Sequence, residues 1–110
     1  MSQDISKNSS PSFSNAKTVT KITKFAVTTA IQQLVKSNPS RLSLFISNIS
    51  ASHVYISPLR DVSATEGIRL QASEGTYQAL AFEDGALVEA EWFIIGAAAV
   101  NILVIETLRR

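Results

Sequence analysis

Apolar and polar residues alternate with a period of two along most of this chain, and turn residues break the alternation about every eight to twelve positions. Side chains of a strand point alternately to its two faces, so this rhythm selects strands. The run "RLSLFIS" at 41–47 shows it clearly. Leu42, Leu44 and Ile46 share one face, and Ser43, Phe45 and Ser47 share the other. Asn38-Pro39 precedes the run as a stop and a turn, because proline fixes φ and pushes the residue before it out of helical geometry. Asn48 ends it with turn chemistry.

The same reading covers the rest of the chain. From Thr18 onward, Val19, Phe25, Val27 and Ile31 fall at odd positions among threonines and lysines. "AIQQLVK" contains fair helix formers, but the threonine-rich lead favours a strand, followed by one turn of helix. His53–Ser57 places Val54 and Ile56 on one face. The short polar link "ISAS" makes a hairpin of this segment and Arg41–Asn48. Gly67–Ala72, Thr76–Phe82, Glu89–Ile95 and Val100–Glu106 supply further strands. "EDGA" reads as a hairpin turn, and a second turn falls near Gly96. The expected class is all-β: a small antiparallel β-sandwich or jelly-roll-like barrel with an extended N-terminal arm.

Charge divides the chain. Residues 1–36 hold five lysines against Asp4, whereas 37–110 hold five arginines against eight acids. Residues 1–16, "MSQDISKNSSPSFSNA", carry few large apolar side chains, so burial cannot offset the entropy of ordering them. The expected organisation is a flexible basic arm over 1–24 and a β-sandwich over 25–110. The arm's Lys17, Lys21 and Lys24 suit an acidic neighbour, with Phe25 as the apolar contact beside them.

The inventory for chemistry is small. There is no cysteine, which excludes disulfides and thiolate chemistry and fits synthesis in a reducing cytoplasm. His53 is the sole histidine and no G-x-S-x-G occurs, so neither a His-rich metal site nor a nucleophile elbow is expected. The glycines are scattered and form no phosphate loop. Glu89 and Glu91 would share one face of a strand, which reads as a solvated edge rather than an acid–base pair. No catalytic residue, metal or cofactor is expected. The apolar stretch Trp92–Ile105 is shorter than the roughly 20 residues of a membrane helix. Basic residues with only Phe13 and Phe25 beside them support nucleic-acid binding weakly.

Two further residues bear on interaction. Trp92 alternates with Phe93: either one faces the core and the other an interface, or both are partly buried in the one small domain. Arg41 stands at the corner where the arm meets the sandwich. It can lock that corner by donating to carbonyls or to a carboxylate such as Glu106, or it can face a neighbouring subunit.

Together the motifs resemble a class of small virion proteins of tailed bacteriophages. The pattern is Asn38, Pro39 and Arg41 leading into a strand that ends at Asn48, then Val54 to Ser57, then Gly67, Ile68 and Leu70. It closes with Trp92, Ile94, Gly96, Ile102, Val104 and Glu106. The resemblance covers about residues 38–107 and leaves out the basic arm. It implies a structural building block of the particle, such as a capsid decoration or cement protein, or a head–tail component. It implies no catalytic residue. The expected partners are further copies of the chain, with a trimer as the expected order, and the major capsid protein or other virion proteins. The expected location is the virion, after synthesis in the host cytoplasm. The rival is a receptor- or glycan-binding module at a tail or fibre tip, for which Tyr55, Tyr77 and Trp92 are the aromatic markers.

Overall fold

The structure, a computed structural model, describes residues 12–14, 17–97 and 100–110. Among these residues, nine strands form two antiparallel sheets packed as a sandwich. They are β1 (Ser12–Ser14), β2 (Thr18–Val27), β3 (Gln32–Val35), β4 (Arg41–Ser47), β5 (Val54–Ser57), β6 (Ile68–Leu70), β7 (Thr76–Leu80), β8 (Trp92–Ile95) and β9 (Val100–Arg109). Two single helical turns, α1 (Ala81–Asp84) and α2 (Ala86–Glu89), lie between β7 and β8. One sheet has the order β1-β2-β9-β4-β7, with the three-residue β1 on its edge, and the other has the order β3-β8-β5-β6.

The alternation read from the sequence is what fills the space between the sheets. Val27, Leu44, Ile46, Ala79, Ile102 and Val104 project from the larger sheet. Leu34, Val54, Ile56, Leu70, Trp92 and Ile94 project from the smaller one, and all are buried in one cluster. Burying each large aliphatic side chain contributes about 1.5–3 kcal/mol. The Trp92 ring meets Tyr77 across the two sheets, with centroids 4.8 Å apart, and its Nε1 donates to the Leu87 carbonyl at 3.0 Å.

Connectivity departs from the expectation of local hairpins. Only the β1–β2 and β5–β6 connections stay within one sheet. Arg41–Ser47 and Val54–Ser57 therefore do not form a hairpin: they lie in different sheets, and residues 48–53 carry the chain across. Asn48, fully buried, clasps this crossing. Its Nδ2 donates to the carbonyls of Ser52 and Leu70, and its Oδ1 accepts from the amide and hydroxyl of Ser50. A buried amide with its donors and acceptor all engaged fixes a loop that a hairpin turn would otherwise have closed.

"EDGA" is likewise no hairpin turn. It contributes to the two helical turns, hinged at Gly85 with φ +56, and these lead from one sheet to the other. Positive φ favours glycine there. Phe82 accordingly belongs to α1 and not to β7, and Glu89 belongs to α2 and not to β8. Glu89 and Glu91 do not share a strand face. Residues 26–36 contain no helix: after Val27 the chain bends and resumes as β3 in the opposite sheet.

The boundary expected at residue 24 also moves. Thr18 to Val27 pair in unbroken register with Arg109 to Val100, so residues 18–24 belong to the sandwich. The expectation of a flexible arm falls, for residues 1–11, 15 and 16, outside the described residues. β2 and β9 are ten residues long, while the strands of the smaller sheet span three or four. The β2–β9 ribbon thus has more length than the smaller sheet can cover, and Lys21, on its inward face, remains exposed.

Two apolar side chains among the described residues are buried outside the main cluster. Phe93 is buried on the outer face of the smaller sheet, and Val62, in the loop after Pro58, is also buried outside the main cluster. The Arg60 guanidinium carbon sits 4.9 Å from the Phe93 ring centroid, a cation–π distance.

Candidate functional site

A β-bulge between Arg41 and Ser43 sets the position of Arg41. Strict alternation from Leu44 would turn residue 41 outward. The extra residue re-aims it to the core side, beside Leu108 of β9. Arg41 is only 2% exposed, and it donates from Nε to Glu106 Oε2 at 2.8 Å. Its Nη1 donates to the carbonyls of Val88 and Ala90, and its Nη2 to the carbonyl of Lys36 at 2.6 Å. One guanidinium thereby joins β4, β9, α2 and the segment after β3. Of the two roles weighed from the sequence, the corner lock is the one the structure displays. Its 2% exposure leaves little of it for a neighbouring subunit to touch.

Above this lock the ribbon leaves a cleft of about 350 Å³ between the sheets. Lys21, Leu34, Val35, Lys36, Ser37, Asn38, Arg41 and Glu106 line it. Lys21 is the cross-strand partner of Glu106. Neither the Lys21 nor the Lys36 ammonium is within ion-pair distance of a described carboxylate.

The three arm lysines are not one patch. Lys21 and Lys24 are both exposed on β2, but they are an odd number of positions apart and point to opposite faces. Lys21 faces the cleft. Lys24 faces outward and lines a separate depression with Ile49, Ser50, Ala51, Ser52, Val100 and Asn101. Lys17 precedes β2 and is exposed, and its carbonyl accepts from the Arg110 amide. Phe25 lies on the inward face and packs against the core. Trp92, 1% exposed, belongs to the core and offers no interface; Phe93 is covered as well.

The outward face of the larger sheet carries a feature that strand-by-strand reading does not assemble. Register aligns Ile22 of β2 with Ile105 of β9, and Ile105 with Phe45 of β4. This row of three half-buried apolar side chains faces away from the core, and Leu103 and Leu80 lie beside it. The alternation had placed Phe45 opposite Leu44. Joining it to Ile22 and Ile105 required the order of strands, which no single segment carries.

His53 Nδ1 accepts from the Ala72 amide at 3.0 Å, which leaves the proton of a neutral ring on Nε2. Among the described residues no group of three or more His, Cys, Asp or Glu side chains could hold a metal ion. No helix among them is long and apolar enough to cross a membrane. Among the described residues, Tyr77 alone has a clearly displaced ionisation: burial, and then the nearby Asp84 carboxylate, push its phenol above 10.0. No family model, no curated protein and no solved structure matches the chain.

Proposed function

We propose that this chain is a non-enzymatic structural protein of a bacteriophage particle, a capsid decoration or cement protein, that self-associates and binds other virion proteins. The observation that carries the interaction role is the outward row Ile22–Ile105–Phe45 on the larger sheet. A second copy is its simplest occupant. The row is uncharged along its length, and aligned packing of sheet on sheet is a standard way for such faces to meet. Face-to-face packing of the row on itself closes as a two-fold pair, and the trimer expected from the sequence has the row line a three-fold axis instead. The phage assignment rests on the motif order from Asn38 to Glu106.

A head–tail or tail-tip component, including a glycan-binding module, is the alternative. It draws less support from the aromatic residues. Trp92 is in the core with Tyr77 packed against it, so only Tyr55 of the three markers stands on an outer face. Fractionation of phage particles tests the assignment. The chain should co-purify with full heads in many copies; finding it only with tails would select the alternative, and finding it with neither would refute the virion reading.

A further inference from the structure

We infer that the cleft over the Arg41–Glu106 pair is a carboxylate-binding site that takes an acidic side chain of a partner protein. The inference deepens the proposed reading by naming the chemistry of the docked surface. It begins from an anomaly in β2. Lys21 lies on the face that, four and six residues further along at Phe25 and Val27, turns into the sandwich, yet it is exposed. Lysine at such a position spends its charge on whatever enters between the sheets.

The cleft is built and held in place. Arg41 fixes the backbone of Lys36 through its carbonyl, and the same guanidinium fixes Glu106, the strand partner of Lys21. Lys36 is thus mounted on backbone tied to the buried Arg41, and Lys21 pairs across strands with the residue whose carboxylate Arg41 holds. Arg41 neutralises Glu106, so the two lysines give the cleft a net positive charge. Ser37 also lines the cleft.

The chemistry favours a carboxylate over a phosphate. Arginine supplies the planar fork that suits phosphate, and here four of the fork's five hydrogens are spent on the protein. What remains are two flexible point charges, Lys21 and Lys36, which attract either anion, so the choice between them falls to the wall beside the charges. Leu34 and Val35 form an apolar wall suited to the methylenes of a glutamate stem. Phosphate has nothing to place against that wall.

The test is titration of the ¹⁵N-labelled full chain with a hexaglutamate peptide, and in a second arm with a linear polyphosphate of matched charge. Saturable amide shifts should centre on residues 21, 35–38 and 106. The double variant Lys21→Gln/Lys36→Gln should bind the peptide at least tenfold more weakly, and Lys24→Gln should bind it as the unaltered chain does. Polyphosphate should bind more weakly than the peptide. Absence of saturable shifts, shifts spread alike over all lysines, an equal loss in Lys24→Gln, or tighter binding of polyphosphate would each overturn the inference. No particle is involved. A chain that binds hexaglutamate here but never joins a particle would keep the cleft and lose the virion reading.

Discussion

Arg41 and Glu106 stand 65 positions apart in the chain and meet at 2.8 Å, with the arginine side chain 2% and the glutamate 14% exposed. Removing one partner of a buried pair leaves the other charge uncompensated, at a cost of about 3–5 kcal/mol. Arg41→Ala should lose that much in urea denaturation, because three carbonyls lose their donor at the same time. Glu106→Gln keeps an acceptor for Nε and should lose less. Equal and small losses from both substitutions would show that the corner does not depend on this pair.

Asn48→Ala should destabilise by about 2 kcal/mol or more, since the buried Leu70 carbonyl loses its side-chain donor and the Ser50 amide its acceptor. Asn48→Asp should be no better, because a carboxylate supplies no hydrogen for the Ser52 and Leu70 carbonyls. Thermal melts of the two variants check this. An unchanged midpoint in either would mean that the 48–53 crossing is held by other contacts.

Tyr77 gives the molecule an alkaline limit. Its phenol ionises at a higher pH in the folded chain than in the unfolded one, so the folded state retains the proton longer. This contribution is fully present below about pH 10 and is lost as pH rises through the folded value. Tyr77→Phe should flatten the fall of stability between pH 9 and 11, roughly the range around the ordinary phenol value. A denaturation series over that range with the same slope in both proteins would contradict it.

Gly75 is a position where size decides. An added Cβ would collide with the Gln71 backbone nitrogen and lie 2.6 Å from the Leu70 Cα, and backbone there cannot yield as a side-chain tip can. Gly75→Ala should therefore lower the melting temperature, whereas Gly85→Ala meets nothing in space and bears only the strain of its positive φ. If Gly75→Ala melts at the unaltered temperature, the turn at residues 71–75 is looser than its geometry implies.

The faces of single strands were legible in the sequence. Leu44 with Ile46, Val54 with Ile56, and Ile102 with Val104 lie inward, as period two requires. The corner role of Arg41 and its partner Glu106 was legible too, because a lone arginine after a proline turn needs acceptors. Connectivity was not. "ISAS" and "EDGA" have the composition of hairpin turns, but each begins a passage between sheets. What separates the two outcomes is a buried clasp such as Asn48, whose partners are distant in sequence. The split of Lys21 from Lys24 follows from parity alone once both are known to lie on one strand. The cleft could not be found that way, because Lys36 and Glu106 join it only through the fold.

Self-association through the outward face of the larger sheet is the central claim, and sedimentation velocity of the full chain tests it most directly. The unaltered protein should sediment as an oligomer at micromolar concentration. Ile105→Glu places a charge in the middle of the row Ile22–Ile105–Phe45 without touching the core face. That variant should keep the far-ultraviolet spectrum of the parent and sediment as a monomer. A parent that is monomeric at every concentration, or a folded Ile105→Glu variant that remains oligomeric, would contradict the account.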